Sequence, residues 1–421
     1  MIVQRTETHV IKESHPIYRW IVEECSRSKN LYNKTLFIYR QAFTGNHNNI
    51  PEYKDIIKHD KFIASFALVN RMNELKDVDF CSMMKKNGAQ QIVFQVDRTM
   101  KAWFASLKSY KKDSSKFRGR PRIPSYKKKD ELNCLTYTTA DAKLQKDGTI
   151  NISKKIKLPI HTNLISFQQV RLVPKTGYIQ VEIVYNKEIS DLKLDQTRAI
   201  GIDLGLNNLM AITSNIGNIS SLVNGRPLKS INQYYNKKKA HLMSLLEKGG
   251  LKSSKRLRRL EMKRTCKIKD YLHKTSRRVV ELMEQKNIGT CFIGHNKDWK
   301  QEINIGSRNN QNFVSIPYSL LINMLKYKIE EKGGVLIELN EAYTSKCSFL
   351  DNEEVRKHES YKGKRAKRGL FLSEKKKALN ADINGSLNIL KRGMNFSFSF
   401  NEKFFRPEKI DIEKKLLNPL G

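Results

Sequence analysis

Residues 198–208 read Arg198-Ala199-Ile200-Gly201-Ile202-Asp203-Leu204-Gly205-Leu206-Asn207-Asn208. An apolar run this short, closed by glycine and asparagine, predicts a buried strand that ends in a corner. Asp203 is the anomaly, because an acid inside an apolar strand is costly unless it is paired or holds a cation. Gly201 and Gly205 permit close backbone approach, but they do not form the long glycine-rich loop of a nucleotide fingerprint. Metal ligand, helix cap, turn acid and edge residue all stay open for Asp203 alone.

Downstream, residues 209–225 supply two more strands, and a helical region follows from Ser230 to Glu284, broken near Gly249-Gly250. IGTCFIG forms a strand ending at Gly294. VSIPYSLLINMLKYKIEEKG forms a helix with Pro317 in its first turn, and GVLIEL forms another strand. After a polar stretch, Thr344–Leu379, the segment NADINGSLNILKRG opens a helix with Asp382 at its start. Antiparallel strands followed by strand, helix, strand and helix predict an α/β domain whose central sheet is covered by helices.

Two other acids join Asp203 as candidates. Glu341 lies just past GVLIEL, and Glu338, inside that strand, better suits a solvated edge or a basic partner, while periodicity alone leaves either carboxylate open. Asp382 fits equally as a helix cap or dipole partner. Three such carboxylates gathered at strand ends would offer the hard oxygens that Mg²⁺ prefers, in a two-metal phosphodiester hydrolysis.

Upstream, Ile17–Phe43 has apolar residues at helical spacing, and further helical patterns follow to about Lys112, predicting a helical module. Leu132–Glu188 changes to short alternating runs with turns such as Asp147-Gly148, predicting an antiparallel, barrel-like β domain.

The 421 residues carry 79 Lys and Arg against 42 Asp and Glu, a formal charge of +37. Such an excess points to a polyanion, with nucleic acid ahead of an anionic membrane. It is concentrated in two places. Lys101–Lys129 has eleven basic residues against Asp113, and Lys237–Arg278 has sixteen against Glu247, Glu261 and Asp270. Arg118, Arg120, Arg122, Tyr126 and Lys127 are candidate nucleic-acid contacts in the first block, and Arg256 and Arg259 in the second. Six isolated cysteines predict a reducing compartment without paired zinc knuckles. The absence of an 18-residue apolar run or an apolar N-terminal segment gives no support for secretion or membrane insertion.

The ordered set GIDLGLNN, IGHNKDWKQ, NNQNFVSIPYSLLINMLKYK, EAYTSKCSFLD and NADINGSLNIL resembles the TnpB/OrfB family, transposon-associated relatives of the type V CRISPR effectors. The likeness is strongest over Arg198–Arg392. It implies a multidomain α+β chain with four parts: the start of a wedge domain with a long helix at 1–45, a helical recognition module at 46–125, a wedge β-barrel at 126–195, and an RNase H-like RuvC nuclease domain at 196–421. The last would contain a target-nucleic-acid-binding insertion at 342–379. The implied function is an RNA-guided DNA endonuclease that binds guide RNA from the transposon end, recognises a flanking motif on double-stranded DNA and cuts with Mg²⁺. A monomer in a bacterial or archaeal cytoplasm is the implied setting.

By the same resemblance, Asp203 and Asp382 match the first and third RuvC acids. The commonest place for the second is Gly294, followed by His295. EAYTS resembles a branch with that glutamate displaced to the next strand, making Glu341 the third member. If Glu341 does not restore the site, the alternative is a nuclease-inactive RNA-guided DNA-binding repressor. A guide-independent RNA-binding structural protein is a third class. Relatives' paired zinc cysteines are reduced here to Cys347, with His358 a weak partner, so no structural zinc is expected. Arg365, Lys367 and Arg368 in GKRAKRG are further nucleic-acid candidates.

Overall fold

The computed structural model describes residues 2–58, 62–154, 156–189, 193–217, 219–296, 316–394, 402–410 and 412. The motif residues at 297–315 lie outside the described residues. The chain divides into two compact units, Ile2–Glu188 and the chain from Ile189 onward.

The first unit contains β1 (Ile2–Lys12), α1 (Ile17–Thr44), α2 (Ser65–Glu74), α3 (Val78–Cys81), α4 (Lys86–Lys112), β2 (Leu135–Thr138), β3 (Lys143–Leu144), β4 (Ile150–Asn151), β5 (Lys157–Leu158), β6 (Gln169–Lys175) and β7 (Tyr178–Glu188). Ile21, Cys25, Leu31, Leu36 and Tyr39 recur at helical spacing and bury one face of α1. That helix ends at Gly45, whose φ of 79° is the left-handed cap for which glycine is suited. Ile92, Val93, Val96 and Met100 form the answering face of α4. The expected barrel resolves into two sheets, β1-β7-β6-β2 and β3-β4-β5. Strands β3, β4 and β5 are two residues each, cut by turns, and too short to carry a ladder round to closure. The long edge strand comes from the N-terminus, where all of Ile2–Lys12 pairs antiparallel with β7.

The second unit contains β8 (Ala199–Leu204), β9 (Asn208–Ser214), β10 (Ser220–Asn224), α5 (Arg226–Lys248), α6 (Lys255–Gln285), β11 (Thr290–Gly294), a helix at Tyr318–Glu330, β12 (Val335–Leu339), β13 (Lys364–Lys367), β14 (Leu370–Leu372), β15 (Ala378–Asn380), a helix at Ala381–Gly393, and β16 (Glu408–Ile410). Its main sheet has the order β12-β11-β8-β9-β10-β16. β8, β11 and β12 are parallel, while β9 is antiparallel to β8 and β10. One face buries Ile202 and Ile293 against Leu272, Val279, Leu321 and Leu325.

The Ala381–Gly393 helix covers the other face. Ser386 Oγ donates to the Gly201 carbonyl at 2.8 Å and meets Thr213 Oγ1 at 2.9 Å. A Cβ on Gly201 would come within 2.5 Å of the Ser386 carbonyl oxygen, so this glycine exists to let the helix lie on the strand. The same helix anchors the Thr344–Phe349 loop. Asn384 Nδ2 donates to the Cys347 carbonyl at 2.9 Å, and its Oδ1 accepts from Phe349 N at 3.1 Å. Asn384 is fully buried. Asn384→Ala leaves the Phe349 amide without that acceptor in a dry site, and about 2 kcal/mol of stability should be lost. Urea unfolding of the two proteins checks this.

Candidate functional site

Asp203 lies one residue from the end of β8, and β11 ends beside it, with Ile202 opposite Ile293 in the ladder. Gly294 is therefore the neighbouring position on β11, and it pairs with Leu339 of β12. Two residues past Leu339 the chain turns through Glu341, whose carbonyl accepts from Thr344 Oγ1 at 2.8 Å. Asp382 sits in the first turn of the helix that crosses β8, behind an Asn380 side chain that accepts from the Asp382 and Ile383 amides.

Asp203 feels both of the other acids. Burial raises the Asp203 carboxyl well above the carboxylate range, Asp382 and then Glu341 add to the rise, and Arg365 opposes it. Burial pushes Glu341 up to about 7. The Tyr318 hydroxyl donates to the Gly205 carbonyl at 2.8 Å, and burial, then the charges of Asp203 and Glu341, push its phenol up.

The space around Gly294 is bounded by Ile389 and Glu341. A Cβ on Gly294 would lie 3.2 Å from Glu341 Cβ and 2.6 Å from Ile389 Cδ1. An acid at 294 and the present Glu341 would compete for the same volume. Glu338 is accounted for separately, because His295 Nδ1 pairs with its carboxylate at 3.0 Å.

Several contributors carried no clear signal in the sequence. Asn208 Nδ2 donates to Asp382 Oδ2 at 2.7 Å. Asn207, with its amide oxygen turned to the guanidinium, accepts from Arg368 Nη2 at 2.9 Å and Nε at 3.2 Å. A Cβ on Gly385 would fall 2.8 Å from Asp203 Oδ2, so that glycine keeps the carboxylate in place. Asn207, Asn208 and Gly385 lie within the quoted motifs, but spacing alone does not reveal which group each one touches.

Carboxylate oxygens suit Mg²⁺, and the electrostatic strain on Asp203 is of the kind a cation relieves. The acids are gathered at the sheet end without being drawn to ligand spacing. Among the described residues, no group of three or more His, Cys, Asp or Glu side chains already meets that spacing. A zinc site does not fit the 344–379 segment. His358 Nε2 already bonds the Glu354 carbonyl at 2.8 Å, and Cys347 Sγ lies 3.5 Å from the Arg356 carbonyl. Buried Glu353 braces this segment instead, accepting from Ser348 N at 2.7 Å and Lys362 N at 3.1 Å.

The basic candidates fall into three groups. Arg118, Arg120 and Arg122 are exposed, whereas Arg40 lies 4.7 Å over the Tyr126 ring and the Lys127 ammonium lies 5.0 Å over Tyr32. Arg256 and Arg259 line a cleft between α5 and α6. Arg365, Lys367 and Arg368 are exposed on or beside β13, with the Arg365 guanidinium 4.0 Å from Asp382. Arg226 and Lys409 line a cavity of about 430 Å³ that opens beside Asn208.

Two family profiles match this chain. OrfB_IS605, described as a probable transposase, matches residues 182–300, and the Cas12f1-like TNB domain matches residues 318–389. A TnpB-like protein, ORF457 of Acidianus two-tailed virus, is 26% identical over 235 residues, covering 53% of this chain and 48% of that one. Over these stretches the chain is similar to OrfB_IS605, Cas12f1-like TNB and TnpB-like proteins. It spans about half the length of that curated relative. Among solved structures, a Cas12f1–sgRNA–target DNA complex matches at 17% identity and a TM-score of 0.37, covering 93% of this chain and all of that one. The mini-RNA-guided endonuclease Cas-phi3 matches at 10% identity and a TM-score of 0.44, covering 94% and 93%. Among the described residues, no helix is long and apolar enough to cross a membrane.

Proposed function

We propose that this protein is an RNA-guided DNA endonuclease whose RuvC-like, RNase H-like domain uses Asp203, Glu341 and Asp382 to hold Mg²⁺. The carrying observation is the placement of Asp203 near the end of β8, where burial first, then Asp382 and Glu341, raise its carboxyl against the opposing charge of Arg365. Perturbed acids gathered at strand ends mark functional sites. The β12-β11-β8-β9-β10 order with β9 reversed supports the RNase H-like assignment.

Magnesium, when bound, supplies the Lewis acidity that makes a water nucleophilic and neutralises charge on the departing 3′ oxygen. The chain's own residues do the rest. Asn208 fixes Asp382 Oδ2, and Oδ1 lies 4.0 Å from the Arg365 guanidinium. Tyr318 and Gly385 bound the space around Asp203. Arg226 and Lys409 offer positive charge to a phosphate chain entering beside Asn208. Guide and target would both be held by the basic surfaces, with pairing to the guide setting the sequence cut.

The partner half of the proposal is tested by sequencing RNA retained through purification. A defined species with a constant scaffold and one variable segment is expected. A heterogeneous population, retained only at low salt, would place the chain among guide-independent RNA binders.

A further inference from the structure

The cleft between α5 and α6 lies apart from the acids, and the proposed cleavage does not use it. It encloses about 680 Å³, within the roughly 300–1,000 Å³ typical of small-molecule sites. It runs from Ser230 to Leu242 on α5, a rise of about 18 Å at 1.5 Å per residue. Lys238, Arg256, Arg259, Lys263, Arg264 and Lys267 line it, and among the described residues no carboxylate does. Ile231, Leu242 and Leu260 supply apolar lining between these cations.

Its two adjacent tyrosines are used differently. Tyr235 is 8% exposed, with the Arg264 guanidinium 4.9 Å and the Lys239 ammonium 5.7 Å from its ring centroid. Arg264 is held by Asn232, whose Oδ1 accepts from its Nε at 2.7 Å. Tyr235 is thus part of the structure that fixes a cation in the wall. Tyr234 lines the same cleft at 61% exposure, so its ring is open to a ligand.

We infer that this cleft binds an unpaired nucleotide of a single-stranded nucleic acid, its base stacked on Tyr234 and its flanking phosphates on Arg256, Arg259 and Lys263. Cations alone would accept any polyanion, and an apolar lining alone would accept any hydrophobe. Their combination with an open aromatic face selects a ligand that is at once anionic and planar. A duplex satisfies only the first requirement, because neighbouring base pairs cover its base faces. The inference rests on the nucleic-acid-binding part of the proposed function, not on cleavage.

The test uses the full-length protein without added metal. The probes are a short single-stranded RNA containing 5-iodouridine, the equivalent DNA containing 5-iododeoxyuridine, and a blunt duplex carrying the same iodinated base. Irradiation and peptide mapping should place single-strand crosslinks on Tyr234, retained in Tyr234→Phe and lost in Tyr234→Ala, with none there from the duplex. Stacking of about 1–3 kcal/mol per base predicts that Tyr234→Ala weakens single-strand binding roughly 5- to 150-fold, with duplex affinity unchanged. Loss confined to the RNA or to the DNA probe identifies the strand bound, and loss of both means that the cleft takes either. Tyr234→Ala that binds both strands as tightly as wild type, or crosslinks mapping only elsewhere, would overturn the inference. Because no cutting is read, this outcome is independent of whether Asp203, Glu341 and Asp382 form a nuclease centre.

Discussion

Asp203→Asn is expected to cut matched DNA at least about 10³-fold more slowly than wild type, binding the same target within twofold, while its melting temperature rises. The rate effect follows from removing a charged ligand from a site that must stabilise several kcal/mol of transition-state charge, at tenfold for each 1.36 kcal/mol. The stability effect has the opposite sign. Asp203 is held where burial and two other carboxylates oppose its ionisation, so a neutral isostere relieves repulsion that the fold otherwise bears. About 0.5–2 kcal/mol is the usual gain when a functional strain is released. Binding should be spared because Asp203 is an anion, and replacing it removes no positive charge that would attract a polyanion. A purely structural acid would behave in reverse, with its replacement costing stability and leaving cutting intact. Paired cleavage, filter-binding and thermal-melt measurements on one preparation separate the two.

Glu341→Gln is expected to cost cutting at least about 10²-fold, again with target binding preserved. Here the reason is geometric. Gly294, at the end of β11, has no side chain to offer, and the space it leaves abuts Glu341 Cβ. Gly294→Asp should therefore fail to improve cutting and should destabilise the protein by about 1–3 kcal/mol, because even its Cβ would lie 2.6 Å from Ile389 Cδ1. If Glu341 were an ordinary loop acid, Glu341→Gln would leave the rate unchanged. That result would favour the repressor reading of a chain with only two of three acids.

Strands β8, β11 and β12 were legible because each is a short apolar run: β8 stops before Gly205, β11 ends in Gly294 and β12 ends before Asn340. Asp203 stood out because it interrupts such a run. Asp382 was visible but ambiguous, since the first turn of a helix welcomes an acid for reasons unrelated to catalysis. What spacing could not carry was who touches whom. Asn208 reaches Asp382 across 174 positions of sequence, and Gly201 is small because Ser386 lies over it. The full-length pairing of β1 with β7 depends on a partner some 170 residues away. In the first unit alternation signalled strands but said nothing of the turns that leave β3, β4 and β5 two residues each.

The most direct test combines guide, metal and site in one tube. The particle purified with its own RNA is offered DNA matching that RNA's variable segment behind a randomised flanking library, in Mg²⁺ or in EDTA, beside a mismatched target. Double-strand breaks confined to matched DNA carrying one flanking motif, formed in Mg²⁺ and absent in EDTA, are the predicted result. Tight binding of the matched DNA with no break at any Mg²⁺ concentration would contradict it.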